Sequence, residues 1–437
     1  MRTVTVLGAG LAGSECAWQL ARRGVRVRLV EMKPNKMTPA HSSPLFAELV
    51  CSNSLRSDEL SNAVGLLKAE MRKMGSLIMA SADQNRVAAG GALAVDREGF
   101  SRTITEKLRS HPNVEIVEAE AREIPEGEVV IATGPLSSDA IAEKIAALCP
   151  DSDLHFYDAV APIVTAESLD MDRIFAASRY GRGEADYLNC PFSKAEYEAF
   201  HAALTGAERA PLHDFDGDLT VYEGCMPIEV MAGRGADTMR FGPLRPVGLR
   251  DPRTGHRPWA NVQLRAENAS RTLYNLVGFQ TNLKWGEQKR VFSMIPGLEH
   301  AEFVRYGVMH RNTFLESPAV LTPALCLKEH PNVFFAGQIT GFEGYMESAA
   351  CGLLAAASLY ARLRGKAFPP PPEQTMCGAL LRYITTPNRD FQPMGANMGI
   401  LPRSGEIDAI RDKRERYLAL SETAQAAMDA WAADVEQ

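Results

Sequence analysis

The stretch Val4-Thr5-Val6-Leu7-Gly8-Ala9-Gly10-Leu11-Ala12-Gly13, near the start of the chain, decides the fold. Its first four residues form an apolar, β-branched run that predicts a buried strand. The residues after Gly13 have helical composition. In this order, Gly8 permits a tight turn, Gly10 lets a diphosphate approach the backbone, and Gly13 lets helix and strand pack closely. The candidate nucleotide contacts are Gly8, Ala9, Gly10, Leu11, Ala12 and Gly13.

A second predicted strand, from Val25 to Val30, ends on Glu31. An acidic residue about twenty positions after the glycines accepts a hydrogen bond from a ribose hydroxyl. Because an acid rather than an arginine stands here, we expect an adenosine ribose without a 2′-phosphate, as in FAD or NAD. The diphosphate would rest on the helix N-terminus, where free N–H groups and the helix dipole favour an anion. The alternative is a glycine-rich turn with a purely structural role.

Composition places the chain among ordinary globular proteins, with 46% hydrophobic and 23% charged residues over 437 positions. This length allows two domains, or one domain with a large insertion. No run approaches the length of a membrane span, and the chain begins with a strand, which leaves no room for a signal peptide. The eight cysteines show neither CxxC spacing nor a dense disulfide framework. We therefore expect a cytoplasmic protein with free thiols and without a metal site.

The charge is unevenly distributed, although the net value of −7 gives no general attraction to nucleic acid. Residues 240–311 contain twelve Lys or Arg and five Asp or Glu, a local excess of 12 − 5 = +7, so the remainder sums to −14. With Trp285 nearby, this region predicts a phosphate-binding face with an aromatic side chain for base stacking. A solvated basic surface is the alternative.

Two later segments favour FAD over NAD. Residues 129–134 predict a strand that ends in Ala-Thr-Gly, similar to the second nucleotide-contacting motif of two-domain FAD proteins. Residues 332–341 predict a strand that meets glycines, and a helix of small residues then opens at a second anion-friendly N-terminus. A close-packed helix pair is the alternative explanation for those small residues. The candidate contacts here are Ala132, Thr133, Gly134, Gly337, Gln338, Gly344 and Tyr345, with Tyr345 placed to cover the isoalloxazine.

The predicted fold is an α/β, doubly wound Rossmann-like FAD-binding domain of the glutathione-reductase kind, interrupted by an α+β insertion domain. Strand–helix alternation is lost between Asp151 and Pro296 and returns afterwards. We therefore predict residues 1–150 and 297–437 as the two parts of the FAD domain and 151–296 as the insertion. One helix, capped near Ser57–Ser61, is predicted to carry an apolar face from Leu66 to Ile78.

The run Gly-Gln-Ile-Thr-Gly-Phe-Glu-Gly-Tyr-Met-Glu-Ser-Ala-Ala-Cys-Gly, residues 337–352, resembles the flavin-dependent tRNA-modifying proteins of the GidA/MnmG group. Further segments narrow the resemblance, namely residues 50–55, 90–97, 186–191, 277–281 and 306–313. On these motifs the chain is identified as a member of the TrmFO family of folate- and FAD-dependent tRNA (uracil-5-)-methyltransferases. MnmG proteins are longer, with a C-terminal helical domain for which this chain has no room.

The resemblance implies that methylenetetrahydrofolate gives its one-carbon unit, by way of reduced FAD, to uracil C5 in the tRNA T-loop. NADPH or NADH would restore the flavin, docking transiently because the chain has no second Gly-x-Gly-x-x-Gly motif. The same chemistry on a uridine of 23S ribosomal RNA is one alternative, and an RNA-free flavin oxidoreductase is another. No membrane and no stable protein partner are implied.

The chemistry needs a thiolate, because uracil C5 is a poor nucleophile until a group adds to C6. Cys16 and Cys351 lie among small helix residues typical of a core. The resemblance matches Cys51 and Cys225 to the family's two functional cysteines, with Cys225 as the thiol that adds to uracil and Cys51 as its partner near the flavin. The division of roles between them is open, and Cys190 is a further candidate.

The resemblance also points to two rings that would hold folate or substrate. His310 would lie flat against the pterin, and Trp285 would stack on a ring of the bound molecule. For each, the alternative is a side chain that only packs within the protein.

Overall fold

The computed structural model describes residues 3–38, 40–149, 153–159, 161–181, 185–210, 226–268, 270–307, 309–388 and 391–436, with the backbone alone at 153–159, 309–313 and 436. The strands are β1 (Thr3–Leu7), β2 (Arg26–Glu31), β3 (Ser54–Ser57), β4 (Arg86–Val87), β5 (Ala92–Val95), β6 (Val114–Glu118), β7 (Val129–Ile131), β8 (Asp153–Ala159), β9 (Ile163–Thr165), β10 (Phe175–Ala176), β11 (Tyr187–Phe192), β12 (Ala260–Ala266), β13 (Leu273–Leu276), β14 (Phe303–Arg305), β15 (Met309–Leu315) and β16 (Val333–Phe335). The helices are α1 (Leu11–Arg22), α2 (Ala63–Lys73), α3 (Leu77–Gln84), α4 (Arg97–Ser110), α5 (Asp139–Leu148), α6 (Lys194–Thr205), α7 (Ile228–Gly233), α8 (Thr238–Phe241), α9 (Trp285–Phe292), α10 (Ser317–Val320), α11 (Tyr345–Leu363), α12 (Met376–Thr385), α13 (Gly405–Asp408) and α14 (Lys413–Glu436).

A parallel sheet with the order β16-β7-β1-β2-β6 forms the centre of the nucleotide-binding part. Val129, Val130 and Ile131 of β7 point alternately to the two faces of the sheet and are all fully buried, as expected for a strand covered on both faces. The chain runs from β1 outward to β2 and β6, then crosses to β7 and β16 on the other side. Ligands bind at the carboxyl ends of the strands where the order reverses in this way. The predicted doubly wound fold is therefore confirmed.

The small residues of α11 pack against α1. A Cβ added at Gly352 would lie 2.1 Å from the carbonyl oxygen of Ala12, and one at Gly337 would lie 2.7 Å from the Ala12 Cβ. These glycines therefore let the two helices and the end of β16 approach closely. Close helix packing and an N-terminus aimed at a ligand, considered above as alternatives, are compatible in this geometry.

The insertion is built on an antiparallel sheet with the order β10-β11-β12-β13-β9-β14. Its own core contains Phe192 of β11, Phe200 of α6, Phe279 of the loop after β13 and Phe292 of α9. Two smaller antiparallel pairings join β3-β5-β4 and β8-β15. The α+β character of the insertion is confirmed, whereas its boundaries at 150/151 and 296/297 stay a prediction. Within the described residues, no helix combines the length and apolarity needed to cross a bilayer.

The prediction of one helix from Leu66 to Ile78 is wrong in one respect, because the segment forms two helices, α2 and α3, with a turn between them. Gly75 has a φ of +64°, a left-handed conformation that ends helices, and the Ser76 hydroxyl accepts the Met79 N–H to begin α3. The cap of α2 is Asn62, not a residue of 57–61. The apolar residues of both helices remain in one core, which is why their periodicity continues across the break.

Two buried carboxyl groups accept backbone N–H groups at the start of helices in other parts of the chain. Glu70 of α2 accepts the backbone N–H groups of Met376 and Cys377 at 2.7 and 2.9 Å, at the start of α12. Glu15 of α1 accepts the Ile78 N–H at 3.0 Å in the first turn of α3. The free N–H groups of a helix N-terminus favour an anion, so each carboxylate joins two elements distant in sequence.

Replacing Glu70 by Gln should change how stability depends on pH. Burial raises the pKa of Glu70 from 4.5 to about 7, so the folded protein binds more protons than the unfolded chain between these values. The wild type should therefore lose stability as pH rises from about 5 to about 7.5, by up to about 3 kcal/mol. The melting temperature of Glu70→Gln should fall less over the same interval. Equal falls in both proteins, with the exposed Glu106→Gln as control, would contradict this assignment.

Candidate active site

A cavity that is partly open to solvent lies at the carboxyl ends of the parallel strands, where the strand order reverses. Eleven of the fourteen predicted cofactor contacts line it, namely Gly8, Gly10, Leu11, Ala12, Glu31, Ala132, Thr133, Gly134, Gly337, Gln338 and Tyr345. The other three, Ala9, Gly13 and Gly344, are not in its wall, and their contact with a cofactor stays a prediction.

Glycine occupies three positions of the first loop for a different physical reason at each one. Gly8 has a φ of +94°, and its added Cβ would lie 2.6 Å from the Ala132 carbonyl oxygen. A Cβ on Gly13 would lie 1.8 Å from the Gly8 carbonyl oxygen, so the turn itself excludes a side chain. A Cβ on Gly10 would meet no protein atom within 4 Å. The fold therefore requires Gly8 and Gly13, whereas Gly10, the N-cap of α1, leaves space beside free N–H groups for an anionic ligand.

Glu31 is buried at the end of β2 and is held by two backbone donors. Its Oε2 accepts the Ala9 N–H at 2.7 Å, and its Oε1 accepts the Lys33 N–H at 3.0 Å. A carboxylate oxygen has a second acceptor direction, so Glu31 retains capacity for a ribose hydroxyl. The Lys33 ammonium, 3.6 Å from the Glu48 carboxylate, is also buried, and that burial lowers the pKa of Lys33.

Sequence reasoning missed other residues in the cavity wall, namely Lys33, His41, Glu48, Ala119, Ala121, Ser137 and Ser138. For Ala119 a signal existed, because the predicted strand at 114–117 must end beside β2 at the same edge of a parallel sheet. Residues 41 and 48 lie in an irregular segment after β2, for which periodicity gives no signal.

Tyr345 connects the cavity to Cys51. It is the first residue of α11, and its hydroxyl oxygen lies 2.8 Å from the Cys51 Sγ. The same oxygen accepts the backbone N–H groups of Cys51 at 2.7 Å and Ser52 at 3.3 Å. Burial raises the pKa of Tyr345 well above its ordinary value, with a further contribution from Cys51, so the phenol stays neutral. Two residues predicted for separate roles thus meet at the edge of one cavity.

Among the described cysteines, Cys51 is half-buried and the others are buried. Burial raises the pKa of the Cys16, Cys190 and Cys377 thiols, and that of Cys351 to about 11, which makes them poor nucleophiles. The candidacy of Cys190 is therefore not favoured. Cys225 lies outside the described residues.

The insertion holds the Cys51 segment in place. Arg265 of β12 donates to the Asn53 Oδ1 at 2.9 Å and to the Ser52 Oγ at 2.5 Å. The Asn53 amide in turn donates to the Ala266 carbonyl oxygen at 2.8 Å and to the Val95 carbonyl oxygen at 3.0 Å. The loop that carries Cys51 is therefore fixed from both sides by hydrogen bonds.

Trp285 does not line the cavity. It is 64% exposed at the start of α9, and its ring stacks on Tyr306 with centroids 5.8 Å apart at an angle of 14°. Tyr306 stacks in turn on Phe303, with centroids 5.4 Å apart. This aromatic column leaves a ring available for stacking on a base or pterin. The backbone of His310 lies in β15, opposite Asp158, and its side chain is outside the described part of the structure.

Much of the predicted basic face is already paired with acids. Arg290 pairs with Glu287 and Arg253 with Asp251, both within the region 240–311. Lys284 pairs with Glu208, which lies outside that region. The two internal pairs are already counted in the excess of +7, so among these three acids only Glu208 offsets it. An RNA-binding role for the face stays a prediction.

Comparison with known proteins agrees with the motifs. The family model "Glucose inhibited division protein A" matches residues 3–367. Proteins named methylenetetrahydrofolate–tRNA-(uracil-5-)-methyltransferase TrmFO are 58% identical in Desulforamulus reducens, over 98% of this chain and 97% of that protein, and 59% identical in Moorella thermoacetica, over 95% of each.

Among solved structures, Aquifex aeolicus GidA in its form II crystal aligns with a TM-score of 0.70 at 15% identity, covering 99% of this chain and 73% of that one. This likeness shows a shared fold, with the longer GidA chain extending beyond it. On the family match and the full-length identities, the chain belongs to the glucose-inhibited division protein A family and, within it, to the TrmFO proteins.

Proposed function

We propose that this chain is a methylenetetrahydrofolate-dependent tRNA (uracil-5-)-methyltransferase that forms 5-methyluridine in the T-loop. The observation that carries the proposal is 58% identity over nearly the full length of a protein named for methylenetetrahydrofolate-dependent tRNA (uracil-5-)-methylation. The cavity beside Cys51 and Tyr345 supports it, because the chemistry needs a nucleotide cofactor next to a reactive thiol.

FAD is the cofactor that the family implies, and the cavity fits it. Glu31 would hold the adenosine ribose, and the loop at Gly10 with the N-terminus of α1 would hold the diphosphate. Gln338 and Tyr345 would lie against the remaining part of the cofactor. When bound and reduced by NADPH or NADH, FAD supplies the one-carbon transfer and the electrons that complete the methyl group.

The chain's own residues activate the uracil. A cysteine thiolate adds to C6, and the electron pair of the C5=C6 bond moves into an enolate whose C5 is nucleophilic. We assign this addition to Cys225, with Cys51 as the second thiol, held by Tyr345 at the edge of the cavity. His310 and Trp285 would contribute the rings that hold folate or the base.

The direct test is incubation of the purified protein with methylenetetrahydrofolate labelled in its methylene carbon, NADPH and separate tRNA and 23S ribosomal RNA transcripts, followed by nucleoside analysis. We expect labelled 5-methyluridine in tRNA alone. Label found only in ribosomal RNA would mean that ribosomal RNA, not tRNA, is the substrate. A yellow protein that oxidises NADPH without methylating either RNA would indicate an oxidoreductase.

Cys225→Ala should retain flavin and lose methylation by at least about 1,000-fold, because the variant lacks the thiol that would add to C6. Flavin absorbance per protein and single-turnover methylation measure the two properties. Methylation at near the wild-type rate would remove Cys225 from the nucleophile role and leave it to Cys51.

A further inference from the structure

Three arginines from distant segments converge beside Cys51. Arg97 is the first residue of α4, Arg265 lies in β12, and Arg305 ends β14. Arg97 Nη1 lies 3.5 Å from the Val50 carbonyl oxygen, and Arg265 donates to Ser52 and Asn53, so both contact neighbours of Cys51. The charges of Arg265 and Arg305 act on Cys51, on Arg97 and on Glu267. The nucleotide-binding part and the insertion thus each contribute guanidinium groups to one place.

The described residues supply one carboxylate to this cluster. Glu267 Oε2 lies 2.7 Å from Arg97 Nη2. Two further acids have contacts with other groups, since Asp96 accepts the Gly99 N–H at 2.8 Å and Glu347 pairs with Arg56 at 3.2 Å. Three guanidiniums and one carboxylate leave an excess of 3 − 1 = +2. Even a thiolate at Cys51 would leave +1, and the neutral Tyr345 adds no charge.

This excess is partly sheltered from water, with Arg265 buried and Arg97 and Arg305 half-buried. Arg265 is 6% exposed and Glu267 4%, and the Arg97 side chain is 18% exposed. Within the described part of the chain, Arg97 Nε and Nη2 and both Glu267 oxygens lack a hydrogen-bond partner, so the 2.7 Å ion pair is not aligned along an N–H bond. Buried cations in excess, with donors left over, are costly unless an anion completes the site. Burial accordingly lowers the pKa of Arg265 and of Arg305.

We propose that Arg97 and Arg305 bind an oxyanion of the RNA substrate beside Cys51, with Arg265 adding to the positive field. The inference rests on the proposed function. Two oxyanions of the same RNA have suitable chemistry, the enolate oxygen O4 of the target uracil and a phosphodiester next to it. Guanidinium N–H groups recognise both.

The thiolate forms an S–C6 bond while the C5=C6 pair shifts to O4. The enolate then returns that pair through C5 to the methylene carbon, which gives up one bonding pair to its carrier, and a base takes the C5 proton. The electron pair left at C5 expels the carrier and forms an exocyclic methylene group. Hydride from the reduced cofactor would add to that methylene carbon, and departure of the thiolate from C6 then restores C5=C6. Donors fixed at O4 before reaction would stabilise this charge as it develops.

The test compares Arg97→Gln, Arg97→Lys and Arg305→Gln with Arg102→Gln, a control on the same helix whose side chain is 56% exposed. Measured for each are flavin absorbance, tRNA affinity at several salt concentrations, kcat, KM, and tritium release from [5-³H]uridine tRNA. If the anion is O4, the Gln variants should lose about 100-fold in kcat and in tritium release together, at unchanged tRNA affinity. Arg97→Lys should recover part of that loss, whereas Arg102→Gln should match the wild type.

If the anion is a phosphodiester, the Gln variants should instead bind tRNA about tenfold more weakly, with a salt slope lower by about one and kcat near wild type. Wild-type values in both Gln variants overturn the proposal, as does a change confined to the KM for methylenetetrahydrofolate. Because the two arginines lie on different elements, failure of one variant to fold leaves the other informative. Absence of tRNA methylation by the wild type would instead refute the proposed function.

Discussion

Cys51→Ala should leave flavin bound and reduce tRNA methylation by at least about 1,000-fold. The thiol lies 2.8 Å from the Tyr345 hydroxyl at the rim of the cavity, and no other described cysteine is as accessible. The backbone N–H of residue 51 would still donate to Tyr345, so the local structure should persist without the sulfur. Single-turnover methylation and the flavin absorbance ratio, measured on one preparation, separate chemistry from folding.

Cys190→Ala is the matched control for this prediction. Cys190 is fully buried in the insertion, so its replacement should cost some stability and leave the methylation rate near wild type. Tyr345→Phe, which removes the acceptor of two N–H groups, should retain flavin and lower kcat. A Cys51→Ala protein that methylates normally, beside an inactive Cys190→Ala protein, would reverse the assignment.

The strand–glycine–helix unit could be predicted because its signal is local. Gly8 and Gly13 are required by atoms within the same unit or in the adjacent strand end, and Glu31 follows at a fixed spacing. The break between α2 and α3 also has a local sequence signal, which is Gly75. It was missed because the apolar period continues across that residue while both helices bury the same face.

The cluster beside Cys51 could not be predicted in the same way. Arg97, Arg265 and Arg305 come from three elements, and nothing in the spacing of their sequence segments indicates that they meet. The same holds for Glu70, whose carboxyl group accepts N–H groups at the start of α12 through a contact across 306 positions. Such pairings follow from the packing of sheets and helices, so they appear only once the tertiary structure is known.

Gly13→Ala and Gly10→Ala should separate what the fold needs from what the cofactor needs. At Gly13 the new methyl group would lie 1.8 Å from the Gly8 carbonyl oxygen, so α1 must move away from β1. We expect the flavin-free protein to lose about 1 to 3 kcal/mol of stability and to bind little flavin. At Gly10 the methyl group meets no protein atom, and its φ of −71° suits any residue.

The flavin-free Gly10→Ala protein should therefore melt at the wild-type temperature, yet bind FAD at least about tenfold more weakly, because the methyl group occupies the space left for the diphosphate. Gly286→Ala, in an exposed turn of α9 with nothing within 4 Å of the added Cβ, controls for the substitution itself. Melting curves of the flavin-free proteins and titration with FAD give the two quantities. Equal FAD affinity in Gly10→Ala and wild type would mean that the diphosphate does not lie against this loop. The cofactor would then need a different position in the cavity, with Glu31 as the contact that remains.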